Sequence, residues 1–293
     1  MSTLWDELEQ AATGLAATAG AATVTIGRSG RGSGVVVASR RVLTNAHNLR
    51  DRTTQVTFAD GRVEQATLVA ADGDSDLAVL EVDTADVEPL EWAEQVPGVG
   101  GAVFAVSRGG GEQRLTVGFV CGVDRSFRGP RGRRIDGGLE HTAPMARGAS
   151  GGPLVGPDGR VVGINTHRAG DGFYLAQAAD AALTQRVAEL VDGSEPTRLE
   201  LGIAVAPPGV ARRLRRSVGL DERDGVLVRG VVDGSPAAAA DLRVGDLIVG
   251  VGGDPLESVD GLHAALGTHA VSAPLELAVV RGVDELGLVV RFD

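Results

Sequence analysis

Three side chains in this sequence have the types and the order needed for acyl transfer: His47, Asp76 and Ser150. A serine hydroxyl is a poor nucleophile at neutral pH. An imidazole must take its proton, and a carboxylate must fix the tautomer of that imidazole. His47 lies in "VLTNAHNL", just after an apolar run. Asp76 directly precedes the apolar run "LAVLEV", a placement its neighbours Asp72 and Asp74 lack. Ser150 lies in "GASGGPLVGPDGRVVGI". The separations are 29 residues from His47 to Asp76 and 74 from Asp76 to Ser150. All three fall at the ends of strand-like segments, where a rigid sheet can hold them. Acyl transfer also builds an oxyanion, which needs backbone N–H donors. Gly148 and Ser150 supply two if the chain turns sharply there, as glycine permits.

Other chemistries fit less well. A nucleophile elbow of the α/β-hydrolase kind runs from strand into helix, with its acid and histidine after the serine. Here Pro153 and the turn "GPDG" lead into another strand. "IGRSGRGSG", from Ile26 to Gly34, lacks the Gly-Lys-Ser/Thr ending of a phosphate loop and continues as strand. It reads as a flexible lead-in. His141, His167, His263 and His269 read as structural or surface histidines.

The elements that must position these groups are mostly β. Short strand-like runs alternate with glycine and aspartate turns from Ala22 to about Ala178, as in a sandwich or a pair of barrels. Before them, Leu4, Leu8, Ala12 and Leu15 recur at helical spacing, with Thr3 and Asp6 placed to cap the start. That helix is expected to dock on the body, or else to serve as an oligomer contact. "AADAALTQRVAELV" reads as a second helix and "DGSEPTR" as a polar linker. From about Leu199 a smaller α+β unit follows. Its strands are "GVLVRGVV" and "DLIVGVGG", its short helices "SPAAAADL" and "SVDGLHAALGTH", its closing hairpin "LELAVVRGVDELGLVVRF". "RRLRR", Arg212 to Arg216, reads as the solvated side of a helix. "DRSFRGPRGRR", with five arginines from Arg125 to Arg134, reads as a solvated surface loop.

Composition narrows the function. The 293 residues carry a net charge of −11, which argues against broad nucleic-acid binding and fits a soluble protein. Every cation is arginine, since no lysine occurs. Cys121 is the single cysteine, so no internal disulfide forms. Its place in "VGFVCGV" suggests a buried thiol. No apolar run is long enough for a membrane span. The start, "MSTLWDELEQ", is acidic where a secretion signal is basic. The expected location is the cytoplasm, or the periplasm or exterior if a leader was removed.

"TNAH", "SDLAVLEV", "GASGGPLVGPDGRVVGINT" and "SPAAAADLRVGDLIVGVGG" occur in that order. Together they resemble the HtrA/DegP family of trypsin-like serine proteases with a C-terminal PDZ domain, over roughly residues 22–293. The resemblance implies a mostly β fold with an N-terminal helix at 1–20. A double-barrel protease domain would span 21–192, a linker 193–198 and an α+β PDZ domain 199–293. It implies His47 as base, Asp76 as orienter, Ser150 as nucleophile, and Gly148 and Ser150 as oxyanion donors. It points to Asn165, Thr166 and His167 as the strand that pairs with substrate, and to Pro144 and Met145 as part of the specificity pocket. With no acid there, small or medium aliphatic residues are expected at the cut site. It implies Leu201, Gly202 and Ile203 as a carboxylate-binding loop, with Leu262 and Leu266 on the helix wall of a peptide groove. The chain departs from the family pattern at Ala149, at Ala146-Arg147, at Thr142 and at Ser107–Gly111. Asp241 stands where a helix-ending glycine is usual.

The implied activity is ATP-independent cleavage of unfolded or exposed polypeptides, with no metal or cofactor. The PDZ domain would bind C-terminal or extended peptides, and the family commonly forms trimers. The alternative is a latent protease that acts as a peptide-binding scaffold.

Overall fold

The protein is described by a computed structural model, which covers residues 3–129, 134–195, 199–270 and 272–292. It divides into two compact units, Met1–Glu195 and Pro196–Asp293.

The first unit opens with helix α1 (Leu4–Ala21). Thr3 and Asp6 cap it reciprocally: the Thr3 N–H donates to Asp6 Oδ2 at 2.7 Å, and the Asp6 N–H to Thr3 Oγ1 at 3.2 Å. Leu15 and Ala19 are buried in the core, with Leu8 and Ala12 packed at its edge. Burying a leucine contributes about 2 kcal/mol, so α1 docks as the spacing predicts.

Two closed six-stranded barrels follow. The first contains β1 (Thr23–Ile26), β2 (Gly32–Ala38), β3 (Arg41–Asn45), β4 (Thr53–Thr57), β5 (Val63–Asp72) and β6 (Leu77–Glu81). The second contains β7 (Ala102–Ser107), β8 (Arg114–Arg128), β9 (Arg134–His141), β10 (Pro153–Val155), β11 (Val161–Gly170) and β12 (Phe173–Ala178). Helix α2 (Ala181–Val191) closes the unit, with Asp180 Oδ1 accepting from the Leu183 N–H at 2.8 Å.

Two expectations change here. "IGRSGRGSG" is no flexible lead-in: Ile26 ends β1, Gly32 begins β2, and the residues between form their turn. Cys121 is only partly buried. On β8, Val120 is buried while Phe119 and Val123 face outward, and Cys121 shares their parity. Of the arginine stretch, 130–133 lie outside the described residues; Arg125 pairs with Glu140 and Arg134 with Asp136, each at 2.8 Å.

The second unit is one six-stranded sheet with helices. Its strands are β13 (Ile203–Ala206), β14 (Val226–Val231), β15 (Leu247–Val251), β16 (Asp254–Pro255), β17 (Leu275–Arg281) and β18 (Asp284–Val290). The order is β13-β14-β15-β17-β18, with β16 on β15. Helices α3 (Pro208–Ser217), α4 (Pro236–Ala239) and α5 (Val259–Thr268) complete it. Asp241 takes the left-handed conformation at φ 59°, which aspartate tolerates. One residue of "RRLRR" is not solvated: Arg215 is buried and donates to the carbonyls of Asp221 and Gly282 at 2.9 and 3.2 Å. Of the polar linker, 196–198 lie outside the described residues.

Candidate active site

His47 stands in the turn after β3, and Asp76 immediately before β6, the strand paired with β3. The ladder therefore brings the two residues together. Asp76 Oδ2 lies 2.6 Å from His47 Nδ1, and its Oδ1 accepts from the His47 N–H at 2.9 Å. The carboxylate thus holds both the ring and its backbone. With the proton on Nδ1, Nε2 keeps a free lone pair. Asp76 is buried and has φ 56°, an uncommon value for a non-glycine residue. Its carbonyl is fixed by the Ala46 N–H at 2.9 Å and Asn45 Nδ2 at 3.0 Å. His47 remains 31% open at its side chain.

Ser150 lies in the turn before β10. Its hydroxyl donates to the Thr166 carbonyl. The His47 turn and the nucleophile turn touch directly, because Asn48 Nδ2 donates to the Ser150 carbonyl at 2.9 Å. Gly148 has φ 81°, and a Cβ there would lie 2.7 Å from both Gly109 Cα and the Gly30 carbonyl oxygen. Only glycine fits on both counts. Among the described residues, neither the Gly148 nor the Ser150 N–H has a hydrogen-bond partner.

The three residues expected on the substrate strand have different surroundings. Asn165 is fully buried. Its N–H donates to the Gly152 carbonyl, its carbonyl accepts from Gly151, and its amide donates to the Pro153 carbonyl. These bonds hold the nucleophile turn, and the Asn165 Oδ1 is buried beside them. Thr166 is buried too, with its carbonyl receiving the Ser150 hydroxyl. His167 is half-buried and edge-on to Phe127, with ring centroids 4.9 Å apart. Burial lowers its pKa, with Asp76 opposing and His47 adding to the shift. The β10 ladder reaches only to Pro153, opposite Ile164, whereas β11 continues to Gly170, paired among the described residues on its β12 side alone. One edge is therefore left open past the nucleophile. Met145 is buried in the second barrel, and Pro144 is exposed with its carbonyl held by Thr116 Oγ1 at 2.7 Å.

In the second unit, Leu201, Gly202, Ile203, Leu262 and Leu266 line one cavity of about 160 Å³, joined by Glu200, Val205 and His263. The loop carbonyls turn inward: Leu201 accepts from Ala237 at 3.0 Å and Gly202 from Val232 at 2.8 Å. Among the described residues, the Leu201 and Gly202 N–H groups have no partner. Gly202 has φ 73°, and a Cβ there would meet Ser235 Cβ at 2.3 Å. His263 was expected to be structural or at the surface; it lines this cavity, and its spacing of three from Leu266 on α5 is the signal that could have placed it there.

The family model for a trypsin-like peptidase domain matches residues 32–164, and that for a PDZ domain matches 209–291. A putative serine protease HhoB of Synechocystis is 31% identical over 279 residues, covering 89% of this chain and 66% of that protein. The periplasmic serine endoprotease DegP of Escherichia coli K12 is 29% identical, covering 85% and 54%. The chain thus spans about half to two thirds of the length of these relatives. Among solved structures, an HtrA-type protease AlgW with decapeptide superposes with a TM-score of 0.72 at 22% identity, covering 96% of this chain and 97% of that one. A serine endoprotease from Yersinia pestis gives 0.70 at 24%, covering 99% and 98%. The double barrel, the α+β sheet unit and these likenesses together make the chain a member of the HtrA family, a trypsin-like serine protease fold with a C-terminal PDZ domain.

Proposed function

We propose that this chain is a serine endopeptidase that cleaves unfolded or exposed polypeptides through an acyl-enzyme. The observation that carries this is the buried Asp76 carboxylate holding both the Nδ1 and the backbone N–H of His47. The Ser150 hydroxyl turns from the Thr166 carbonyl toward His47 Nε2 by a change of side-chain rotamer. Its proton passes to Nε2 as Oγ bonds to the substrate carbonyl carbon. The N–H groups of Gly148 and Ser150 receive the oxyanion. The imidazolium then gives its proton to the leaving amine, and the C–N bond breaks. Water repeats the sequence on the ester and frees Ser150.

The substrate backbone is proposed to add to the open edge of β11 from Thr166 onward, beside His167. Pro144 and Met145 would form part of the pocket for a small or medium aliphatic side chain. In the PDZ domain, the N–H groups of Leu201, Gly202 and Ile203 would take a terminal carboxylate, with Leu262 and Leu266 against the last side chain. We assign the protease domain to 21–192 after the N-terminal helix, the linker to 193–198 and the PDZ domain to 199–293. Trp5, 73% exposed on α1, leaves a contact for assembly into trimers, which light scattering would measure.

The relatives' names include periplasmic proteases, and among the described residues no helix is long and apolar enough to cross a membrane. Cell fractionation separates a periplasmic location from the cytoplasmic expectation. A fluorophosphonate probe tests the chemistry: the parent labels, and Ser150→Ala does not. Absence of label on the parent, with peptide still bound, would establish the latent scaffold instead.

A further inference from the structure

The nucleophile turn is held by first-barrel side chains that the acyl-transfer mechanism does not use. Follow its peptide groups in order. In the 148–149 peptide, the Gly148 carbonyl accepts from Ser33 Oγ at 2.7 Å, and the Ala149 N–H donates to the Ala146 carbonyl at 3.2 Å. In the 150–151 peptide, the Ser150 carbonyl accepts from the Ser33 N–H and from Asn48 Nδ2, each at 2.9 Å. The Gly151 N–H of the same peptide donates to the Asn165 carbonyl at 2.8 Å. Both peptides are therefore bonded on both sides. The two peptides that alternate with them, 147–148 and 149–150, carry the N–H groups assigned to the oxyanion. Peptide planes are rigid, and the Ala149 carbonyl of the 149–150 peptide accepts from the Gly152 N–H at 3.1 Å, so held neighbours and that bond together restrain the direction of its N–H.

The clamping groups are themselves oriented. Ser33 Oγ accepts from the Arg108 N–H at 2.9 Å, which directs its one proton to Gly148. Asn48 Nδ2 donates to Thr44 Oγ1 at 3.0 Å with its other hydrogen, and Thr44 Oγ1 donates to the Ser33 carbonyl at 2.7 Å. Ser33 and Asn48 are 0% and 1% exposed, so water cannot replace either donor.

Resting on the acyl-transfer reading above, we propose that Ser33 and Asn48 are positioning residues for the oxyanion hole. They reach across from the first barrel and hold two carbonyls of the nucleophile turn, so that the Gly148 and Ser150 N–H groups face the reacting carbonyl.

The test uses the full chain with Ser33→Ala and, separately, Asn48→Leu, which keeps the side-chain volume and removes the amide. Two ligands are compared: a peptide boronic acid, which forms an oxyanion on Ser150, and the matching peptide carboxylate, which binds without one. The expected result is a fall in kcat of about tenfold to a hundredfold, part of the value of one oxyanion donor, with KM little changed. Boronate affinity should fall in step while carboxylate affinity stays level, and the midpoint of the pH–rate profile should not move. Variants that keep kcat and boronate affinity within twofold of the parent overturn the proposal. So does an equal loss for both ligands, which indicates general loosening. A parent that takes no fluorophosphonate label overturns the proteolytic reading and this proposal together; a labelled parent with unaffected variants overturns this proposal alone.

Discussion

The catalytic site and the PDZ groove are built by different means. In the first, side-chain hydrogen bonds set the arrangement: carboxylate to imidazole, hydroxyl to carbonyl, Ser33 and Asn48 to the nucleophile turn. In the second, the proposed binding groups are backbone N–H, and the shape comes from mostly apolar side chains around a cavity. Directional chemistry needs fixed donors, whereas capturing an extended peptide needs a sheet edge, a loop and a pocket. Losses at the catalytic site should therefore be steep, and losses at the groove graded.

The largest expected effect separates the two regions outright. Ser150→Ala should lower kcat by about a millionfold, while peptide affinity of the PDZ domain, read by fluorescence anisotropy, stays at the parent value. A parallel loss of binding would break the comparison. Asp76→Asn, which keeps the volume of the side chain but offers the ring a different partner, should cost about ten-thousandfold in kcat. An effect under a hundredfold would remove Asp76 from its role.

Acid should distinguish the two units by their pH windows. Burial pushes the His141 imidazole down to about 4, against a smaller opposing effect of Asn165. The unfolded chain binds this proton near pH 6.5, so the stability tied to neutral His141 is complete above 6.5. It is lost as pH falls toward 4, about 3 kcal/mol in all. Asp241, in the second unit, is held below the usual carboxylate range by the hydrogen bond from Arg243 and then by Arg281. Its contribution is present above pH 3.8 and disappears only as pH falls below that. Urea midpoints between pH 7 and 4 should therefore fall for the protease domain, and His141→Phe should flatten that slope. The smallest effect expected is at the groove. Gly202→Ala forces a side chain into the left-handed region and against Ser235, which should weaken peptide binding by roughly tenfold, about 1–3 kcal/mol of strain. Hydrolysis of a short peptide should not change.

Much of this was legible in the residues. His47, Asp76 and Ser150 stand out because each abuts an apolar strand; strand pairing joins the first two, and the Asn48 amide ties their barrel to the Ser150 turn. That Leu201, Gly202, Ile203, Leu262 and Leu266 share one cavity was legible from the family-like order of small motifs. What escaped depends on partners distant in sequence. Ser33 meets Gly148 across 115 positions, and nothing local to either residue signals it. Cys121 was misread because an apolar run gives no parity when the outward residues are also apolar. The bonds from Asn165 to Gly151, Gly152 and Pro153 were equally out of reach, because sequence places it on a strand without showing which groups that strand meets. Arg215 looked solvated because five residues of mixed helix face cannot reveal one buried guanidinium.

Gly30, Gly109 and Gly148 meet with no side chain between them: a hairpin of one barrel, a loop of the other and the nucleophile turn. A crowded core usually relieves pressure by changing rotamers, but bare main chain has none to change. Any displacement at this junction must be passed on whole, from one barrel to the other, through the atoms that frame the reacting carbonyl.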